Sequence, residues 1–107
     1  NKTTQITMPV VELLMLEQLK CRTVVCADTT AFSKPHSAPM LKACADLSIE
    51  PSSALFIGDA ITDIQAGKSV NMTTIAAAYG YIDKAEDLLS WQADYIVNSP
   101  LELLQYF

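Results

Sequence analysis

Short apolar runs alternate along this chain with segments whose apolar residues recur at helical spacing, and that alternation restricts the fold more than any other feature. The runs are Thr23–Cys26 (TVVC), Ala54–Ile57 (ALFI), Met72–Ala76 (MTTIA) and Asp94–Val97 (DYIV). TVVC is β-branched and short enough for a strand buried on both faces, and ALFI reads as a second buried strand. Between the runs, Ile6, Val10, Leu13 and Leu14 form a helical stripe ending near Leu19, with Pro9 early enough to be tolerated. Ser37 reads as an N-cap with Pro39 in the first turn, followed by Met40, Ala43, Cys44 and Leu47 at i, i+3, i+4 and i+7. A turn at EPSS precedes ALFI, and Ile61 and Ile64 begin another helix that Asn71 can end in a left-handed conformation. Ser99, Pro100 and Glu102 predict a last helix with a capping box. Strands alternating with helices imply parallel strands joined by right-handed crossovers, so the fold class is α/β.

The chain has 107 residues, half of them hydrophobic, and carries a formal charge of −5. That is one small domain, and its acidity argues against nucleic acid and anionic membranes as partners. No apolar stretch approaches the roughly 20 residues of a spanning helix. Three cysteines, Cys21, Cys26 and Cys44, lack C-x-x-C spacing and read as reduced, packed thiols, which fits a cytoplasmic location. The sequence opens at Asn1 rather than Met, as a piece of something longer would.

In such sheets, ligands bind beyond the carboxyl ends of the strands. Asp59 stands there, directly after LFIG, with Asp63 about one helical turn later; Asp28 and Lys34 follow TVVC toward the same edge. Two carboxylates about 4 Å apart repel by roughly 4 kcal/mol at an effective dielectric near 20, so a proton, a basic side chain or a metal must offset them. Oxygen ligands of this kind suit Mg²⁺, which takes one or two carboxylates together with waters and phosphate oxygens. Gly58 would let the backbone turn and leave room for substrate. Lys34, in SKPHSAP, is the natural cationic partner. The plain alternative is an N-capping Asp59 and a solvated Asp63.

Taken jointly, these residues resemble the haloacid dehalogenase-like superfamily, most closely its phosphoglycolate phosphatase-like hydrolases. The KPHPAPLL-type stretch of that family is matched by Lys34-Pro35-His36-Ser37-Ala38-Pro39-Met40-Leu41. Its strand ending in G-D-x-x-x-D is matched by Gly58, Asp59 and Asp63, and its TYGY-like segment by Ala78-Tyr79-Gly80-Tyr81. Ser37 stands where proline is common and Asn71 where glycine is usual. The resemblance implies a Rossmann-like core and a Mg²⁺-dependent phosphatase acting on a small phosphorylated metabolite such as phosphoglycolate, through an aspartyl-phosphate intermediate. It implies that Lys34 contacts the phosphoryl group and the nucleophile, that Asp59 binds the metal, and that Asp63 assists through water or by orienting Lys34.

The family's nucleophile lies in a DxDxT motif, and this sequence contains none. The resemblance therefore makes residues 1–107 the C-terminal part of the core, lacking the N-terminal strand and the cap. The nucleophile would lie outside this chain, which alone would be inactive. In the family's strand order, TVVC and ALFI are separated by the nucleophile strand and one other, so their backbone groups would go unpaired here. The missing N-terminal half, or a second copy of the chain, would be the partner. A non-catalytic remnant or binding module of the same fold is the alternative function. Among the remaining residues, His36 reads as a loop or helix-cap contact. Trp91, Tyr95 and Tyr106 read as core and interface aromatics, Asp83, Glu86 and Asp87 as a solvated face, and the methionines as core filler.

Overall fold

The structure is a computed structural model that describes residues 2–14, 21–80 and 87–107. Three parallel strands form its sheet: β1 (Leu55–Gly58), β2 (Thr73–Ala77) and β3 (Tyr95–Val97), in the order β1-β2-β3. Leu55 pairs with Thr73 and Gly58 with Ala76, while Ile75 pairs with Tyr95 and Ala77 with Val97. Three helices accompany the sheet: α1 (Thr4–Leu13), α2 (Ala38–Leu47) and α3 (Ile61–Ser69), the last connecting β1 to β2. The α/β class and the parallel sheet are as the alternation predicts. No helix among the described residues is long and apolar enough to cross a membrane.

β2 is the central strand, and its residues from Thr74 to Ala77 are buried. Its flanks hold two clusters. Met40 and Cys44 of α2 meet Ala66 of α3 and Met72, with Phe56 and Val70 against them. Ile64 of α3 meets Ala76 and Trp91, with Leu88, Ala93 and Ile96 around them. Burial of Ile64 and Ile75, both 0% exposed, contributes about 1.5–3 kcal/mol each. Two of the methionines and Trp91 are thus core, as expected, whereas Tyr95 and Tyr106 pair at the surface with ring centroids 4.8 Å apart. Cys44 packs as a small apolar group, and burial pushes its thiol pKa upward, with Glu50 adding to the effect. Asn71 ends the α3 region at φ 61° as predicted.

Four elements depart from the sequence expectation. Residues 23–26 are not a strand and form no ladder among the described residues. A strand exists only where a neighbour supplies hydrogen bonds, and here side chains and the chain start take that role. Thr23 Oγ1 donates to Asp46 Oδ2 at 2.7 Å, Cys26 N–H to Thr29 Oγ1 at 2.8 Å, and Ala27 N–H to the Lys2 carbonyl at 2.7 Å. β1 is a half-exposed edge rather than a buried strand, because among the described residues only β2 pairs with it. In α1 the expected stripe of Ile6, Val10, Leu13 and Leu14 faces outward, Val11 is the buried residue, and Pro9 lies inside the helix, which tolerates it. The proposed continuation toward Leu19 lies outside the described residues, as do Tyr81, Asp83 and Glu86.

The last element, Pro100–Tyr106, is a 3-10 helix without a side-chain cap from Ser99. The Glu102 carboxylate accepts from Asn98 N–H at 2.9 Å instead of from Ser99. Leu101 and Leu104 are exposed, so no apolar face rewards a regular α-helix there.

Candidate active site

The carboxyl end of β1 is where strand gives way to helix. Gly58 ends the strand, Asp59 follows it, and Ala60 is the N-cap residue of α3. Alanine has no side-chain acceptor, so the helix start depends on Asp63 at its third position. Asp63 Oδ2 accepts from Ala60 N–H at 3.2 Å, and its negative charge in the first turn suits the helix dipole. Its other oxygen, Oδ1, lies 2.5 Å from Lys34 Nζ. That ion pair is largely shielded, with the lysine side chain 24% exposed and the aspartate side chain 7%. The Lys34 ammonium also stands 5.9 Å from the centre of the Phe56 ring, within cation–π range. Lys34 and Asp63, far apart in sequence, therefore meet at the rim of the sheet.

Two glycines make this geometry possible through close approach. A Cβ on Gly58 would fall inside 3.0 Å of the Asp63 side chain, and one on Gly80 would do the same to Asp59. The space at Gly58 is thus filled by Asp63, not left for substrate as the sequence suggested. Gly80 belongs to the Ala78–Gly80 turn that follows β2, so the turn after β2 packs directly against Asp59. The role of Gly80 was not visible in the sequence. The sequence names Gly80 only as part of the TYGY-like segment, without a role. Nothing in the sequence singled out Phe56, whose ring backs the ammonium.

Asp28 Oδ1 accepts from the Thr4 hydroxyl at 2.7 Å and from the Thr4 amide at 2.8 Å, which caps α1. The Thr4 hydroxyl and then the Thr4 amide hold the Asp28 carboxyl below the usual range. His36 serves as a helix-cap contact, as expected, with Nδ1 accepting from Ala38 N–H at 3.0 Å. Ser37 occupies the N-cap position of α2 but makes no side-chain cap bond. Asp87 caps the 3-10 helix Leu88–Trp91 by accepting from Leu89 N–H at 3.1 Å.

The donor set fits a hard divalent cation. Asp59 carries a carboxylate at the strand end, and both oxygens of Asp63 are engaged, one by Lys34 Nζ and one by Ala60 N–H. Among the described residues no group of three Asp, Glu, His or Cys side chains gathers to hold a metal.

A lysine–aspartate pair and a further aspartate thus stand at the carboxyl edge of a parallel sheet, where open α/β sheets bind their ligands. Residues 1–77 match the family model described as haloacid dehalogenase-like hydrolase, and the chain belongs to that family. It is 39% identical over 104 residues to N-acetylmuramic acid 6-phosphate phosphatase from Pseudomonas aeruginosa, covering 97% of this chain and 46% of that protein. It is 35% identical over 104 residues to phosphoglycolate phosphatase from Nitrosococcus oceani, covering 96% of this chain and 45% of the relative. Among solved structures it resembles a haloacid dehalogenase-superfamily hydrolase of subfamily IA from Geobacter sulfurreducens, with TM-score 0.77 and 24% identity over 99% of this chain and 45% of the other. A hydrolase from Pseudomonas syringae aligns with TM-score 0.69 and 27% identity, over 82% of this chain and 40% of that one. The fold is thus the Rossmann-like fold of haloacid dehalogenase-like hydrolases. The chain spans about half the length of the curated relatives it matches.

Proposed function

We propose that residues 1–107 form the C-terminal part of a haloacid dehalogenase-like core domain and supply the phosphate- and cation-holding side of a Mg²⁺-dependent phosphomonoesterase. The observation that carries this reading is the Lys34–Asp63 ion pair at the end of the strand that delivers Asp59. Lys34 would bind the phosphoryl oxygens and stabilise the charge that develops on them. Asp63 would keep the ammonium aimed, and Asp59 would hold Mg²⁺. When bound, the cation would offset the repulsion between an anionic substrate and an acidic rim. The nucleophile would be an aspartate outside this chain. Its attack would transfer the phosphoryl group to the carboxylate with loss of the alcohol, and water would then hydrolyse the aspartyl-phosphate.

Small phosphorylated metabolites are the substrate class in view, since the relatives are named for N-acetylmuramic acid 6-phosphate and phosphoglycolate. A cavity of about 380 Å³ supports the idea of further strands beside β1. It lies among Val25, Cys26, Met40 and Phe56 and is flanked by Lys2 and Lys34. Thr7 also lines it, with a buried hydroxyl that has no hydrogen-bond partner among the described residues. We assign that space to the polypeptide carrying the nucleophile.

The test uses protein expressed from its complete reading frame and p-nitrophenyl phosphate as substrate. Turnover should require added MgCl₂ and should fall about 100-fold or more in Asp59→Asn, the loss typical when a metal site is disturbed. Unchanged turnover in that variant would refute the assignment.

A further inference from the structure

The loop bearing Lys34 has no regular secondary structure between the irregular segment at 21–26 and the start of α2. A lysine ends in a point charge on a flexible four-carbon stem, so its position depends on how firmly its backbone is held. The contacts that hold this backbone converge on the residues bracketing it. The His36 amide donates to the Ser33 carbonyl at 3.0 Å, closing a tight turn around Lys34. The Thr30 hydroxyl donates to the Phe32 carbonyl at 2.6 Å. The Phe32 and His36 rings stack with centroids 4.4 Å apart and planes at 24°. Finally, Ala38 N–H, at the first position of α2, donates to His36 Nδ1 at 3.0 Å.

That last bond is the cap expected of Ser37, moved one residue upstream. Ser37 has right-handed helical backbone angles, φ −71° and ψ −19°, and contributes no side-chain bond. The imidazole instead satisfies one of the amides that the start of any helix leaves open. Because only an unprotonated ring nitrogen accepts, this geometry requires a neutral His36 with its proton on Nε2.

We propose that His36 is a positioning residue for Lys34. Its Nδ1 fastens the loop to the first turn of α2, its ring is braced by Phe32, and the enclosed turn aims the ammonium at Asp63 and at the phosphoryl group. The inference rests on the reading of Lys34 as the phosphoryl-binding group, and the experiment separates the two.

In the protein expressed from its complete reading frame, Lys34→Met, His36→Ala and His36→Asn are compared on p-nitrophenyl phosphate. Lys34→Met should lose turnover. His36→Ala should lower kcat/KM about tenfold, the scale of a lost helix cap read out at the lysine. His36→Asn offers Oδ1 to the same amide and should recover to within about threefold of the parent. An active Lys34→Met protein overturns the reading of the lysine and the inference with it. In a Lys34-dependent enzyme, a wild-type His36→Ala, or equal losses in His36→Ala and His36→Asn, overturns the inference alone. A measurement independent of activity is the ¹⁵N spectrum of the His36 imidazole in the protein expressed from its complete reading frame. An Nε2–H tautomer, with Ala38 amide exchange faster in His36→Ala but not in His36→Asn, is the expected result. An Nδ1–H tautomer overturns the proposal even if His36→Ala fails to fold.

Discussion

Gly80 contributes by lacking a side chain. Its φ is not positive, so alanine would meet no backbone penalty there; the cost would come from the new Cβ striking Asp59. Gly80→Ala should therefore displace the Asp59 carboxylate, destabilise the fold by about 1–3 kcal/mol as overpacking does, and remove Mg²⁺-dependent turnover. Urea melts and the phosphatase assay together check this; a Gly80→Ala protein that matches the parent in both would show that Asp59 is not held by that turn. Asp59 and Asp63 were legible in the sequence because a strand followed by a helix must bring such residues to one rim. Their environment was not legible. The glycines act on atoms far along the chain, and Ser37 yielded its capping role to a neighbouring imidazole whose reach depends on how the loop turns.

At the scale of elements, one carboxylate reinforces the ladder between β2 and β3. Asp94 Oδ2 accepts from Thr74 N–H at 2.8 Å and from Thr74 Oγ1 at 3.1 Å, and the Asp94 amide donates back to Thr74 Oγ1 at 3.3 Å. The Thr74 amide is the main reason that the Asp94 carboxyl is held below its usual range. A depressed folded-state pKa means stability that is present above the unfolded value of 3.8 and is lost as pH falls through the folded value. Asp94→Asn should thus cost about 1 kcal/mol at pH 7, and its difference from the parent should shrink as pH drops below about 4. Urea melts at neutral and acid pH decide it, since a difference constant across that range would sink the claim.

The helices α2 and α3 and the strands β1 to β3 followed from periodicity because their apolar residues have neighbours within this chain. Residues 23–26, the outward face of α1 and the 3-10 helix at Pro100–Tyr106 did not. Each lacks the packing or pairing partner that would turn a sequence tendency into a regular element.

For the whole molecule, the same shortage becomes a property of the surface. Among the described residues β1 is paired on one side only, and Ile6, Val10 and Leu13 of α1, with Leu14 after it, are exposed. An open strand edge and exposed apolar side chains each invite association. The isolated chain should show an average mass by light scattering that rises with concentration, and Leu55→Lys, a charge on the exposed edge strand, should lower it. A strict monomer at every concentration would contradict this account of the edge.

The rim itself has a different character. One oxygen of Asp63 steadies the opening turn of a helix while the other steers an ammonium from a distant loop. That carboxyl group is a splice between two stretches of chain that share no backbone. Severing it would fray a helix and take from a cation one of its holds in one stroke, so order in this corner of the protein should come and go as a unit.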